Sequence, residues 1–312
     1  VVLHVVMWHN DKATTLQSGR PVPVLAIEKY LTTSMRQNLN ATYASPSPNM
    51  SCPATAQVSD PSAIAGFLDS AGEERFLAKV EQFQTNIAQT GASQSLYHGI
   101  MGALGYAKNK LPCLELARRL PLQVLESDSQ GKVPAEEYLA RQQALLLGTA
   151  GLLPSQRSGR SPVNKPDDKW TDKLEKLWSS AQHTEVMSDS VWHLFRVRPS
   201  NFPVRRIAAM SYLIVRYRQE GILQGAISMV REAPLSQGHH RLEEGFLITD
   251  DSYWAHHLDL GSYREIRSHS LLGRERAASI VVNVLLPFTF AWGRVTSKPE
   301  LSQKSMELYR RY

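Results

Sequence analysis

Apolar residues fill Val1 to Val6 with a single interruption at His4, a run dense enough for a strand covered on both faces. A polar stretch, Asn10 to Gly19, follows as a hairpin loop, and Pro21 to Ile27 reads as the partner segment. Its two prolines suit a strand start or an edge position, because proline cannot donate to a ladder. One hairpin is not stable alone in water. These residues are therefore expected to be the last part of a β-containing domain that begins further upstream. Asn38 to Ser62 is rich in Ser, Pro, Asn, Ala and Thr, contains Ser45-Pro46-Ser47-Pro48, and reads as a loop or linker.

From about Pro61 the period becomes helical. Phe76, Val80, Phe83 and Ile87 recur at spacings of four, three and four, which places them on one face of a helix between Glu73 and Gln89. Helical patterns continue over 96–104, 113–120, 134–148, 169–181, 203–218, 221–230, 274–292 and 300–311. Strand residues first and helices afterwards give an α+β fold, a remnant β hairpin at the N-terminus packed on a mostly α-helical domain. The expected boundaries are 1–37 for the β remnant, 38–62 for the linker and 63–312 for the helical domain.

The uncharged, strongly apolar run Ala277 to Gly293 is 17 residues, at the lower end of what crosses a bilayer. It contains Asn283 and Pro287, and the proline nitrogen cannot donate to the carbonyl four residues back. A buried, kinked core helix is the expectation, with Asn283 specifying the core and no membrane as partner.

Composition adds little. Over 312 residues, 35 Lys and Arg against 29 Asp and Glu leave a net charge of +6, which permits a polyanionic partner without demanding one. Two cysteines, Cys52 and Cys113, form no disulfide framework and no C-x-x-C pair, so a reducing, cytoplasmic setting is expected. The chain opens on Val1 and both ends read as cut. No P-loop, G-x-G-x-x-G or G-x-S-x-G is present.

The strongest local feature runs from Ser190 to Gln219, with arginines at 196, 198, 205, 206, 216 and 218, no acid, and interleaved aromatics. On a helix from Pro203 at about 100° per residue, Ile207, Met210, Ile214 and Tyr217 share one face. Arg205 and Arg216 then lie opposite, solvated and able to reach neighbouring phosphates. Arg206 falls on the margin of the apolar face and needs a carboxylate, a carbonyl or a bound anion. Asn201 is a plausible helix cap with Pro203 in the first turn. With Arg198, this helix start is a candidate phosphate or nucleic-acid site; the plainer reading is a solvated arginine face plus one structural ion pair.

The histidine pairs His239-His240 and His256-His257 rarely chelate one ion, since adjacent side chains diverge, and no metal site is expected. Trp254 and His257 are further candidates, with packing against the C-terminal helix the plainer role. His4, inside the apolar strand and expected to be partly buried, is the catalytic suspect if acidic strands lie alongside; otherwise it is a satisfied core histidine.

Several phrases, in order along nearly the whole chain, resemble a bacterial family, domain of unknown function family 2851. They include Val1 to Val6; Gly102 to Tyr106 with Leu116 to Pro121; Gly148 to Pro154; Arg198 to Arg206; Tyr253 to His257; and Val281 to Pro287. The resemblance implies an upstream acidic strand segment and a downstream cysteine-containing tail, neither present here, and it brings no established activity. A divalent metal would enter only with ligands from that upstream segment. The leading expectation is nucleic-acid binding or processing through the basic helix, as the helical part of a nuclease-like enzyme cleaving phosphodiester bonds. The alternatives are a non-catalytic scaffold for a protein partner and a phosphate-handling enzyme using Asn201 and Arg206.

Overall fold

A computed structural model describes residues 3–8, 14–15, 20–33, 35, 60–127, 133–157, 168–181, 185–195, 197–249, 253–263 and 270–312. The chain divides into two compact units, Val1–Ser70 and Ala71–Tyr312, each described by itself.

In the first unit, β1 (His4–Val6) pairs with β2 (Val24–Ala26). The two run parallel, with His4 opposite Val24, which corrects the expected hairpin. A tight turn reverses the chain, whereas parallel pairing needs a connection of a dozen or more residues, and Met7 to Pro23 supplies one. Nor is β1 covered on both faces: His4 and Val5 are exposed. Residues 36–59, most of the expected linker, lie outside the described residues.

Helix α1 (Pro61–Thr90) starts where the helical period starts, with Asp60 accepting the Ser62 N–H at 3.0 Å. Its buried residues are Phe76, Val80, Phe83 and Ile87, the stripe that the spacing predicts. In the second unit follow α2 (Ala92–Leu104), α3 (Tyr106–Arg119), α4 (Leu122–Glu126), α5 (Ala135–Thr149), α6 (Lys169–Ser180), α7 (Pro203–Arg216), α8 (Gly221–Glu232) and α9 (Gly238–Glu244). Two small antiparallel pairs interrupt the helices. They are β3 (Ile248–Thr249) with β6 (Ser270–Leu272), and β4 (His257–Asp259) with β5 (Ser262–Tyr263), with α10 (Tyr253–His256) between β3 and β4. The fold is α+β and mostly helical.

The apolar run of the C-terminal region forms α11 (Arg274–Ile280), a π-helical turn (Val281–Leu285) and α12 (Leu286–Val295), followed by α13 (Pro299–Tyr309). Pro287 has no N–H for the Asn283 carbonyl, and the backbone answers by widening: the Leu286 N–H bonds to Val281 O, one residue beyond α-helical register. This is the one helix among the described residues long and apolar enough to cross a membrane, and 61% of its apolar window is buried inside the protein. Phe83 meets Phe288 edge-on at 5.6 Å, and Phe76 meets Phe290 at 5.5 Å, locking α1 to α12.

Candidate functional site

Helix α7 is not amphipathic in the way its sequence suggests. It is packed by α5 along one side and by β6, β4 and α8 on others, so Pro203 through Ser211 is buried without a break. The expected solvated position of Arg205 is corrected: its side chain is fully buried, and Nη1 donates to the carbonyls of Trp254 and, at 2.8 Å, of His257. Arg206 is buried too, and the partner it requires is internal: Leu271 O at 2.9 Å and Asn201 Oδ1 at 2.7 Å. Asn201 therefore does not cap α7, whose N-cap residue is Phe202. Arg216 is exposed, but Nη1 donates to Gly245 O and Nη2 to Leu247 O, both at 2.7 Å, closing the end of α9. Arg218 donates to Val133 O at 2.8 Å and lies over the Tyr138 ring. Arg198 is exposed ahead of the short turn Pro199–Asn201, and Arg196 lies outside the described residues. Four arginines of the segment, Arg205, Arg206, Arg216 and Arg218, thus donate to backbone carbonyls, which take the place of carboxylates.

Trp254 and His257 belong to the same arrangement, their carbonyls holding Arg205. Trp254 is fully buried, and the His257 ring stacks on Tyr253 at 3.9 Å with Nδ1 2.7 Å from Tyr253 O. Nearby, Asp168 accepts from Thr171 Oγ1 at 2.7 Å, from Tyr253 Oη at 2.9 Å and from the Gly261 N–H at 3.1 Å. Burial works to raise the Asp168 carboxyl, but these bonds hold it below its ordinary value. Arg157 forms a buried ion pair with Asp259, Nη2 to Oδ1 at 2.6 Å. These bonds tie segments of the helical unit together. His4, in the other unit, is exposed with Nδ1 2.8 Å from Thr14 Oγ1, so the expected partial burial is also corrected. Among the described residues no group of three His, Cys, Asp or Glu could hold a metal ion. Cys113 is buried, with its thiol pushed up to about 12 by desolvation, too high for a thiolate nucleophile.

The chemistry that does converge lies elsewhere, in a groove of about 640 Å³ within the helical unit. Beside the apolar stripe of α1 runs a polar one, offset by a single residue: Arg75, Lys79, Gln82 and Asn86, again at four, three, four. This stripe lines one wall as far as Lys79, Gln82 and Asn86, with Arg75 at its end. Lys110, Leu114 and Arg118, spaced by four on α3, line the other. The floor is made by small residues of α2: Gly99, Gly102 and Ala103. A Cβ on Gly99 would come within 2.7 Å of Val284 Cγ1, so glycine lets α2 and the π turn close together there. Arg276, Ser279 and Asn283 complete the lining. No Asp or Glu is among the lining residues, while four cations, Lys79, Lys110, Arg118 and Arg276, are.

At its centre sits Asn283, carried by the π turn that Pro287 imposes. Its Nδ2 donates to Ser279 O at 2.9 Å, which leaves Oδ1 facing the cations. Arg75 Nη2 donates to that oxygen at 2.7 Å, and Lys79 Nζ donates to it as well. Asn283 therefore lines the groove instead of specifying the core. Two cations share one neutral acceptor. Desolvation, with the charges of Arg75 and Lys110 beside it, pulls the Lys79 ammonium down to about 8. Arg276 is lowered to about 10 by desolvation, and its buried Nε has no hydrogen-bond partner. A second depression of about 840 Å³ shares Thr90, His98 and Arg118 with the groove and extends it along α2.

The groove was readable in part. The stripe Arg75-Lys79-Gln82-Asn86 is a sequence signal that the louder arginines of α7 conceal. Its meeting with Asn283, more than two hundred residues away, carries no local signal.

Lys79 makes a stability prediction. Its folded value lies below its unfolded one, so the charge opposes folding at neutral pH, and the penalty fades as pH rises through about 8 toward the unfolded value. Lys79→Met keeps the aliphatic stem and removes the charge. It should stabilise the fold at pH 7 by about 1 kcal/mol after discounting for solvent screening of a half-exposed group, a rise of roughly 2–4 °C in Tm. Calorimetry at neutral pH checks this; a fall in Tm would mean that the ammonium serves the fold.

No curated protein and no solved structure matches the chain. A family model does, over residues 1–312, the whole length. The groove-forming phrases Gly102 to Tyr106 and Val281 to Pro287 fall within that match, and the chain belongs to the family described as protein of unknown function DUF2851.

Proposed function

We propose that this protein binds nucleic acid along its phosphate backbone, in the groove between α1, α3 and the π turn. The observation that carries the reading is the pair of cations, Arg75 and Lys79, converging on the neutral Asn283 oxygen with no carboxylate in the lining. Cations held together at a cost to the fold call for an anion, and a cleft lined by one sign of charge focuses the field on it. The length of the groove favours a polymer over a single phosphate. Lys110 and Arg118 are eight residues apart on α3, about 12 Å along the axis, which spans roughly three phosphates of one strand. Arg118 also lies 3.8 Å from Glu115, an exposed pair that a phosphate can replace at little cost.

The reading keeps the ligand that the net charge permits and moves its site from α7 to the groove. A small-molecule phosphate site at Asn201 and Arg206 is less favoured, because those two side chains are bonded to each other.

Fluorescence anisotropy with labelled single-stranded and duplex oligonucleotides tests the reading. Four neutralised phosphates give a log–log salt slope near −2.8 on single strands and near −3.6 on duplex. Affinity should also fall as pH is raised from about 7 to 10, because Lys79, facing Arg75, Lys110, Arg276 and His98, loses its proton over that range. Bound phosphate favours the ammonium, so the midpoint should lie above about 8. Lys79→Arg should flatten the profile. Absence of salt-dependent binding at low ionic strength would refute the proposal.

A further inference from the structure

Tyr106 stands at the mouth of the groove, where α2 gives way to α3. Its φ is +56°, a left-handed conformation that costs a tyrosine roughly 1–2 kcal/mol and that glycine would adopt without strain. The preceding residue, Gly105, explains the tight turn: a Cβ there would sit 2.3 Å from Asn109 O. It does not explain the tyrosine. Burial does not repay the strain either, because Tyr106 is 45% exposed. One face of its ring is held by Arg276, whose guanidinium carbon lies 3.2 Å from the ring centroid. Arg276 itself lines the groove beside Asn283. A strained, exposed aromatic, stiffened by a stacked guanidinium and set next to a cationic cluster, has the parts of a base-stacking platform: a flat π-surface for a base and cations for the adjoining phosphates.

We infer that the groove takes single-stranded nucleic acid in preference to duplex, with a base stacked on Tyr106 and its neighbouring phosphate at Arg75, Lys79 and Arg276. This rests on the nucleic-acid reading above and narrows it. In a duplex the bases are already stacked and paired, so duplex offers Tyr106 no free face, while an unpaired strand does.

The test compares wild type with Tyr106→Phe and Tyr106→Asn, each titrated with a single-stranded oligonucleotide and with the same sequence as duplex, in DNA and RNA versions. Asparagine tolerates the left-handed conformation, so the turn survives and the Tm should be held. Wild type should bind the single strand at least about tenfold more tightly than duplex. Tyr106→Phe should keep that affinity. Tyr106→Asn should lose roughly tenfold on the single strand, the weight of one base–aromatic stack, and change little on duplex. An oligonucleotide carrying 2-aminopurine should show stacking by quenched emission with wild type and not with Tyr106→Asn. Equal binding of duplex and single strand, or an unaffected Tyr106→Asn, overturns the inference while leaving phosphate-backbone binding in place. No salt-dependent binding to either form overturns both.

Discussion

Arg205→Leu should lower the stability of the helical unit by about 3–5 kcal/mol, which in a unit of this size is a fall of roughly 10 °C in Tm. The cause is local. The Arg205 side chain is fully buried, and its guanidinium bridges the carbonyls of Trp254 and His257 at the junction of α10 and β4. Leucine fills most of the stem volume but leaves two buried carbonyls without these donors, at about 1–3 kcal/mol each. Arg205→Lys, which keeps the charge but not the fork, should fall between wild type and leucine. The same series discriminates between two roles for this residue. A surface cation acting on phosphates would lose affinity in Arg205→Leu and keep its Tm, whereas a buried tie loses Tm and keeps salt-dependent affinity in the molecules that remain folded. Differential scanning calorimetry alongside anisotropy reads both, and an unchanged Tm for Arg205→Leu would remove Arg205 from the account of the fold.

The triple substitution Lys79→Gln, Lys110→Glu, Arg118→Glu should reduce nucleic-acid affinity by about 100-fold or more at moderate salt, since each position removes a charge-assisted contact worth about 1.5 kcal/mol or more and two of them add repulsion. The protein should still fold: Lys110 and Arg118 are exposed, and Lys79 carries a charge that opposes folding. The residual salt slope should shrink by about the number of cations removed times 0.7 on a single strand. Arg216→Gln is the informative comparison. Arg216 is an exposed arginine of the basic helix, but its donors close the end of α9 on Gly245 and Leu247. It should cost about 1–2 kcal/mol of stability and leave affinity unchanged. If instead Arg216→Gln abolishes binding and the triple variant does not, the site belongs on α7 and the groove is only a feature of the packing.

How far the site could be read from the sequence follows from what each residue depends on. The apolar stripe Phe76-Val80-Phe83-Ile87 is decided by neighbours within four residues on one helix, and the spacing alone places it correctly. The adjacent stripe Arg75-Lys79-Gln82-Asn86 obeys the same local rule and was there to be found. Arg205 could not be placed this way. Helical periodicity assigns a residue to an apolar or a polar face, and that assignment means solvent only when the helix has a free side. Helix α7 has none along its first nine residues, so its polar face is buried against carbonyls of α10 and β4. Asn283 is intermediate. Its distance from Pro287 predicts a local distortion, and the π turn follows; that the side chain would then meet Arg75 and Lys79 depends on how α1 packs on the C-terminal helices.

The sequence by itself determined where the longer helices lie, the apolar seam of α1, the break at Pro287 and the α+β class, because each rests on period, proline chemistry or composition within a few residues; it did not mark the start of α3 or the short helices α4, α9 and α10. Tertiary structure alone decided that β1 and β2 run parallel, that the arginines of α7 are ties within the protein, and that Lys79, Arg75, Arg276, Tyr106 and Asn283 share one groove. The physical reason is the same in each case: which carbonyl, cation or aromatic ring lies opposite a side chain is set by packing between segments far apart in the chain, and no window of sequence contains both partners.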